Sequence, residues 1–423
     1  MFDFKNPQIS VIFKNINSLI FLQIFIAGVG FLTTAQIGKI LGPDVFGHLS
    51  YALSIGAYGS IIMQFGIDKT LTRDVIHNPI NAKQILITSI IIKLLFFILV
   101  VLIIIIFSSY IFSKDHIYSS YFIVLSLLVG SFGIGHFYDA KKITYIHSFF
   151  TFFHRGAYFI ILWSLFFLSI NSISILIIGI VMSLTALFGL ILEYIYLRNY
   201  IFNKVSDLMI KIKKLLINNF RIWMTEIIGL SLVYLNKIIL MFFAGASELG
   251  QFQVSWVIIT LATLFMSQII RVGNVYFSEN TKVNVSSKRR KLFLLNYLLL
   301  MTIIGIVFYT FFYFFNDILV IYFFGDAYAE ASKILRIAAL YIILFGSYTV
   351  SLQYLININQ TKIYSFFIIF ISIISILLNF IFISQSGNIG AAWALPLSVL
   401  IGIPFLIFVI FKVEVLEKLE NKL

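Results

Sequence analysis

The residues best placed to do chemistry are charges stranded in long apolar stretches. Lys93 stands in Ile90–Phe107, a run with no other charge. Arg155, Glu193, Glu226, Lys237 and Arg271 interrupt comparable stretches, and Lys39 stands near the end of another. A charge at the centre of a bilayer costs about 2.5–3.5 kcal/mol on insertion scales, so such residues face a partner, a wet cavity or the interface. Cations in that setting suit an anion that must cross the membrane. Arginine grips phosphate through two parallel hydrogen bonds, and lysine serves as a compact point charge. The competing reading is that Lys93, Arg155 and Arg271 snorkel to the inner interface. For Glu226 the alternatives are pairing with a nearby cation and carrying a coupling proton or sodium ion.

Other chemistries are excluded by what the chain lacks. It has no cysteine, so no disulfide framework, thiolate metal site or cysteine nucleophile exists. It has no glycine-rich phosphate loop ending in Lys-Ser or Lys-Thr, so it carries no ATPase of its own. His136, His147 and His154 lack a tight metal-ligand spacing and read as loop or interface residues. No metal or organic cofactor is expected, and energy must come from an ion gradient (H+ or Na+) or from consumption of the product. The net charge of +13 does not signal nucleic acid, because the basic residues collect in short loops on one side of a membrane.

The elements that position these charges are membrane helices. Of 423 residues, 61% are hydrophobic and only 11% charged, with a mean hydropathy of +1.04. Soluble domains carry about 25% charged residues, so the surplus apolar surface must face lipid. Stretches of about 20 apolar residues are needed per crossing. Twelve are legible: 16–38, 45–67, 85–107, 117–137, 148–169, 172–197, 222–244, 252–272, 292–315, 334–356, 363–383 and 389–412. Tight turns are expected between 148–169 and 172–197 and between 363–383 and 389–412. Unbroken apolarity argues for helices rather than barrel strands. The fold class expected is therefore an all-α polytopic membrane protein.

Lysines and arginines orient the chain. One side collects Lys69, Arg73, Lys83, Lys141, Lys142, Arg198, Lys211, Lys213, Lys214, Arg221, Lys288, Arg289, Arg290 and Lys362. The other holds Lys39, Lys114, Lys333 and Arg336. Both termini are expected in the cytoplasm. On this placement Lys93, Arg155, Glu226 and Arg271 fall in the inner half of the membrane, and Lys39 and Lys237 in the outer half. The outer loops are too short to build a catalytic domain, so an enzyme is not expected. Aromatic residues, 17% of the chain, read mainly as lipid contacts and interfacial anchors. Tyr51 and Tyr234 are candidates to stack on a ligand.

The basic segment 198–221 divides the chain into an N-terminal lobe, 1–197, and a C-terminal lobe, 222–423. A faint internal repeat supports the division. Gly42-Pro43-Asp44-Val45-Phe46-Gly47 and Gly245-Ala246-Ser247-Glu248-Leu249-Gly250 each join the first two helices of a lobe. Six helices per lobe give both the same orientation, the parallel-repeat arrangement of many transporters.

Further motifs fall in a fixed order: Ile37-Gly38-Lys39-Ile40-Leu41-Gly42-Pro43-Asp44-Val45-Phe46-Gly47, then Tyr51-Ala52, Phe65-Gly66-Ile67-Asp68, Thr72-Arg73-Asp74 and Phe137-Tyr138-Asp139. Phe324-Gly325-Asp326-Ala327-Tyr328-Ala329-Glu330-Ala331 and Asn388-Ile389-Gly390-Ala391-Ala392 follow in the second half. In this order the chain resembles the Wzx-type polysaccharide-repeat flippases of the multidrug/oligosaccharidyl-lipid/polysaccharide exporter (MOP) superfamily. The resemblance implies twelve helices in two six-helix lobes around a central cavity, working by alternating access. It implies an undecaprenyl-diphosphate-linked oligosaccharide as substrate, flipped across the bacterial inner membrane for O-antigen or capsule synthesis. A polysaccharide polymerase and a chain-length regulator are its implied partners. At Asn236-Lys237 the chain departs from the pattern, because many relatives carry an acid there. Two other readings compete: a cation-coupled drug exporter of the same superfamily, and a membrane polysaccharide polymerase. The first would place acids rather than cations in the helices. The second would need a large outer loop.

Overall fold

A computed structural model describes the backbone of residues 7–141, 143–168, 173–198, 207–282, 287–358 and 360–420, and the side chains of most of these from Ile26 to Ile410. The described chain is helical almost throughout. α1 spans Pro7–Gln64, α2 Ile67–His77, α3 Ala82–Ile111, α4 Ile117–Gly130, α5 Gly135–Ala140, α6 Thr144–Leu168 and α7 Ile175–Tyr196. α8 is Leu208–Leu230, α9 Asn236–Lys282, α10 Ser287–Phe324, α11 Ala329–Ala338, α12 Leu340–Asn357 and α13 Thr361–Glu420. A π-helical turn, Ser231–Leu235, joins α8 to α9.

Nine segments of the described chain are long and apolar enough to cross a membrane. Three of them, Ile26–His77, Leu208–Ile270 and Thr361–Ile410, run 52, 63 and 50 residues. At about 1.5 Å per residue, each is far longer than a hydrocarbon core of about 30 Å. Each also bends at a glycine with positive φ: Gly42 in α1, Gly245 in α9 and Gly387 in α13. Between 363–383 and 389–412 the helix therefore bends at Gly387 instead of giving way to a separate turn. The expected turn at 169–172 lies outside the described residues.

The chain divides into two compact units. The first comprises residues 1–34 and 48–227. There α4 packs on α7, α6 on α7, and α2 on α5 and α3. Leu71, Val75, Leu86, Phe137, Tyr138 and Leu197 form one buried cluster in it. The second unit comprises residues 35–47 and 228–423. There α10 packs on α12, and α9 and α12 on α13. Large apolar side chains remain exposed along whole faces, including Leu94, Leu95, Ile98, Leu102 and Ile106 of α3. That pattern is expected of surfaces solvated by lipid.

The repeat read from the sequence has a structural counterpart. Gly42 (φ 71°, ψ 170°) and Gly245 (φ 87°, ψ −178°) adopt the same conformation 203 positions apart. A φ in this range strains any residue with a Cβ. Both segments fall in the second unit, and they touch backbone to backbone. A Cβ on Gly47 would lie 1.8 Å from the Ala246 carbonyl oxygen, and one on Gly250 would lie 1.9 Å from that of Pro43. Gly47 corresponds to Gly250 and Pro43 to Ala246, so each contact is the image of the other when the repeats are exchanged.

Candidate functional site

Two buried lysines anchor the chemistry, one in each unit. In the first unit, Phe65 and Gly66 break the helix with positive φ (48° and 67°) and launch α2 in a new direction. Ile67-Asp68-Lys69-Thr70 follow at once, so their polar groups sit at the break. Asp68 meets the Lys93 ammonium of α3 as an ion pair, Oδ1 to Nζ 2.7 Å. The same ammonium donates to the Ser131 carbonyl at 2.9 Å and the Gly133 carbonyl at 3.3 Å. Lys93 is wholly buried. With a carboxylate and two carbonyls around it, its charge is fully matched.

Around this pair α8 is clasped to the break. The Phe65 ring lies between Phe96 and Trp223, with centroids 4.9 and 4.3 Å away. Thr70 Oγ1 donates to Asn219 Oδ1 at 2.7 Å, and both side chains are buried. Lys69 reaches Glu226 at 3.4 Å. Lys211 bonds to Gln84. A Cβ on Gly66 would approach the Trp223 nitrogen to 3.0 Å, so glycine is needed for both the turn and the close approach. Nearby, His147 Nδ1 faces Glu193 Oε1 at 3.1 Å.

The second unit holds Lys237, the second residue of α9, only 5% exposed. Among the described residues it has no acid within ion-pair distance. Its ammonium lies 5.3 Å from the centre of the Tyr234 ring and 6.0 Å from that of Trp256. Trp256 in turn lies beside Phe252 and Tyr341. Cation–π contacts of this kind contribute roughly 0.5–2 kcal/mol each. That is less than the cost of a desolvated charge. Immediately before it, the π-helical turn Ser231–Leu235 shifts the helical phase by one residue. Such insertions recur at functional sites. Asn236 is fully buried, and neither its amide oxygen nor its amide nitrogen has a hydrogen-bond partner.

The remaining sequence candidates are dispersed. Lys39 and Arg155 are exposed. The Arg271 side chain lies outside the described residues. Glu226 is partly buried and held by Lys69. Three features escape a sequence reading: the Asp68–Lys93 pairing, the π-helical turn, and Glu248. The last caps the Gly387 bend by accepting from the Asn388 backbone nitrogen at 3.1 Å.

With this geometry in view, the comparison with known proteins is decisive for kinship. The pattern of the polysaccharide biosynthesis protein family matches residues 12–273. The chain belongs to that family. No curated protein matches the sequence at a significant level. Among solved structures, this family member resembles the lipid II flippase MurJ in an inward closed conformation, with TM-score 0.72 and 17% identity over 93% of this chain and 87% of that one. It also resembles an inward-facing multidrug resistance transporter of the MATE family, MOP superfamily (0.64, 13%, 94% of each chain). A third likeness is to a MOP-superfamily transporter from Pyrococcus furiosus whose binding pocket has reversed polarity (0.61, 12%, 93% of this chain and 94% of that one). At these identities the likeness is one of fold. The fold is one shared with these MOP-superfamily transporters.

Proposed function

We propose that the protein is a flippase that carries undecaprenyl-diphosphate-linked oligosaccharide repeat units from the inner to the outer leaflet of the bacterial cytoplasmic membrane. The observation that carries this reading is Lys237, a lysine buried in an apolar helix with aromatic neighbours and, among the described residues, no acid within ion-pair distance. An unmatched cation is costly unless an anion arrives to match it. A diphosphate on a hydrocarbon chain is such an anion. Membership in a polysaccharide biosynthesis family supports a sugar-bearing substrate, and the MOP fold supports alternating access.

The nine spans, three of them bent and long enough for two crossings, support twelve crossings in two six-helix lobes. Even crossings and the basic loops favour both termini in the cytoplasm. Arg155, Arg271 and Lys39 join Lys237 as candidate phosphate-binding cations. Lys93 reaches the substrate only if Asp68 releases it. Glu226 is the candidate coupling acid for H+ or Na+, with Lys69 as its resting partner.

The test is made in cells lacking the gene. Complete lipid-linked repeat units held on the cytoplasmic face would support flipping. Units exposed outside but unpolymerised would instead indicate a polymerase. No accumulation at all would overturn the polysaccharide reading in favour of drug export.

A further inference from the structure

One helix face plays no part in this scheme. Residues 208–227 of α8 belong to the first unit. They run alongside α3 in step: Lys211 bonds to Gln84, and twelve residues further on each helix Trp223 meets Phe96, ring centres 6.4 Å apart. Ile212, Leu215, Leu216 and Trp223 turn inward onto Phe65, Ile67 and Ile92. The opposite face is apolar too, but uncovered. Met209, Ile210, Ile217, Phe220 and Met224 are 38–77% exposed. Lys213, Lys214 and Arg221 stand exposed among them. At 3.6 residues per turn, these eight side chains fall within an arc of about 140°.

These cations differ from their neighbours in company. Lys69 reaches Glu226, Arg73 reaches Asp74, and Lys93 reaches Asp68. Among the described residues, Lys213, Lys214 and Arg221 have no acid within ion-pair distance. The sequence from Leu208 to Thr225 holds no Asp or Glu. The step with α3 sets their level. Lys213 and Lys214 are level with residues 86–87, close to the start of α3, and Arg221 is level with Leu94, where the large exposed apolar side chains of α3 begin. The start of α3 lies on the side rich in lysine and arginine, the inner side under the positive-inside rule.

We propose that this face of α8 binds anionic glycerophospholipids of the inner leaflet, of the phosphatidylglycerol class. Charge complementarity selects that occupant. Three cations without acids need a net negative partner, and apolar side chains interleaved with them suit the acyl chains beside its headgroup. A zwitterionic lipid balances its phosphate with its own ammonium, so it gains little from them. Each basic residue near an anionic membrane surface strengthens binding by about fivefold. A resident lipid would neutralise the cations and hold α8 against α3. The inference concerns a resident lipid and does not rest on which substrate is carried.

The test uses full-length protein purified in detergent and titrated, under native mass spectrometry, with phosphatidylglycerol and with phosphatidylethanolamine of the same acyl chains. Phosphatidylglycerol should bind about 100-fold more tightly, on the scale of three cations. That preference should fall about 25-fold in Lys213→Gln/Lys214→Gln and about fivefold in Arg221→Gln. Arg198→Gln/Lys362→Gln, which removes two exposed cations elsewhere, should keep it. Glycerol 3-phosphate carries a phosphate without tails and should not compete; competition would identify a free phosphate ligand instead. Displacement by equimolar undecaprenyl diphosphate would make the face an entry point for transported lipid. Either result, equal binding of the two phospholipids, or a preference that survives in Lys213→Gln/Lys214→Gln would overturn the proposal. The comparison of the two lipids on the parent protein remains decisive even where a variant does not fold.

Discussion

Lys93 and Lys237 are the same residue type, both buried in membrane helices, in opposite company. Lys93 has Asp68 at 2.7 Å and two carbonyl oxygens. Lys237 has two aromatic faces and no acid among the described residues. The first unit has spent its buried cation on itself. The second leaves its cation unmatched, at the price of stability. A matched charge fixes a bend; under the proposed function the unmatched one awaits the anionic substrate. Burial is common to both lysines, and only the partner set sets them apart.

The contrast can be broken at several points. Lys93→Met should leave Asp68 buried and unpaired. The expected loss is about 3–5 kcal/mol, the usual penalty for removing one member of a buried pair. It is measured as a fall in melting temperature in detergent. Adding Asp68→Asn should restore most of it, and failure of that rescue would show that Lys93 does more than match Asp68.

Gly47→Ala places a methyl where the Ala246 carbonyl already lies. Backbone must move, at an expected cost of about 1–3 kcal/mol. Gly250→Ala should cost the same, because the two contacts are equivalent under the repeat. Unequal thermal shifts would deny that equivalence.

Thr70→Val removes the donor to the buried Asn219 oxygen. An unsatisfied buried acceptor costs about 1–3 kcal/mol. The change should loosen α8, visible as faster hydrogen exchange over residues 208–227 with little change in α12.

Glu226→Gln should matter least to stability, under about 1 kcal/mol, because its partner Lys69 is 64% exposed and the pair is screened by solvent. Its use lies in transport. If Glu226 is the coupling acid, the variant loses its response to an imposed pH gradient while keeping its melting temperature. An unaltered response assigns coupling elsewhere.

Much of this was legible beforehand. Apolar runs and stray charges marked the membrane segments, and Lys93, Lys237 and Glu226 stood out because charge is rare there. The paired glycine motifs predicted joints that the structure forms with matching dihedrals at Gly42 and Gly245. What could not be read was company. Asp68 meets Lys93 across 25 residues because Phe65 and Gly66 turn the chain through positive φ, and phenylalanine gives no hint of that. The π-helical turn has the ordinary apolar sequence Ser231-Leu232-Val233-Tyr234-Leu235. The stretch Ser386-Gly387-Asn388 reads as a loop, yet the helix continues because Glu248, far away in sequence, caps the bend.

The most direct test of the account is the sidedness of lipid-linked repeat units in cells whose only copy of the protein carries Lys237→Met. The account predicts a folded protein, at least as stable as the parent, with flipping reduced by about 100-fold, the scale on which losing one preorganised electrostatic contact acts. Lys237→Arg should keep most of the activity. A Lys237→Met protein that is fully folded and flips at the parental rate would contradict the claim that this unmatched cation serves the substrate.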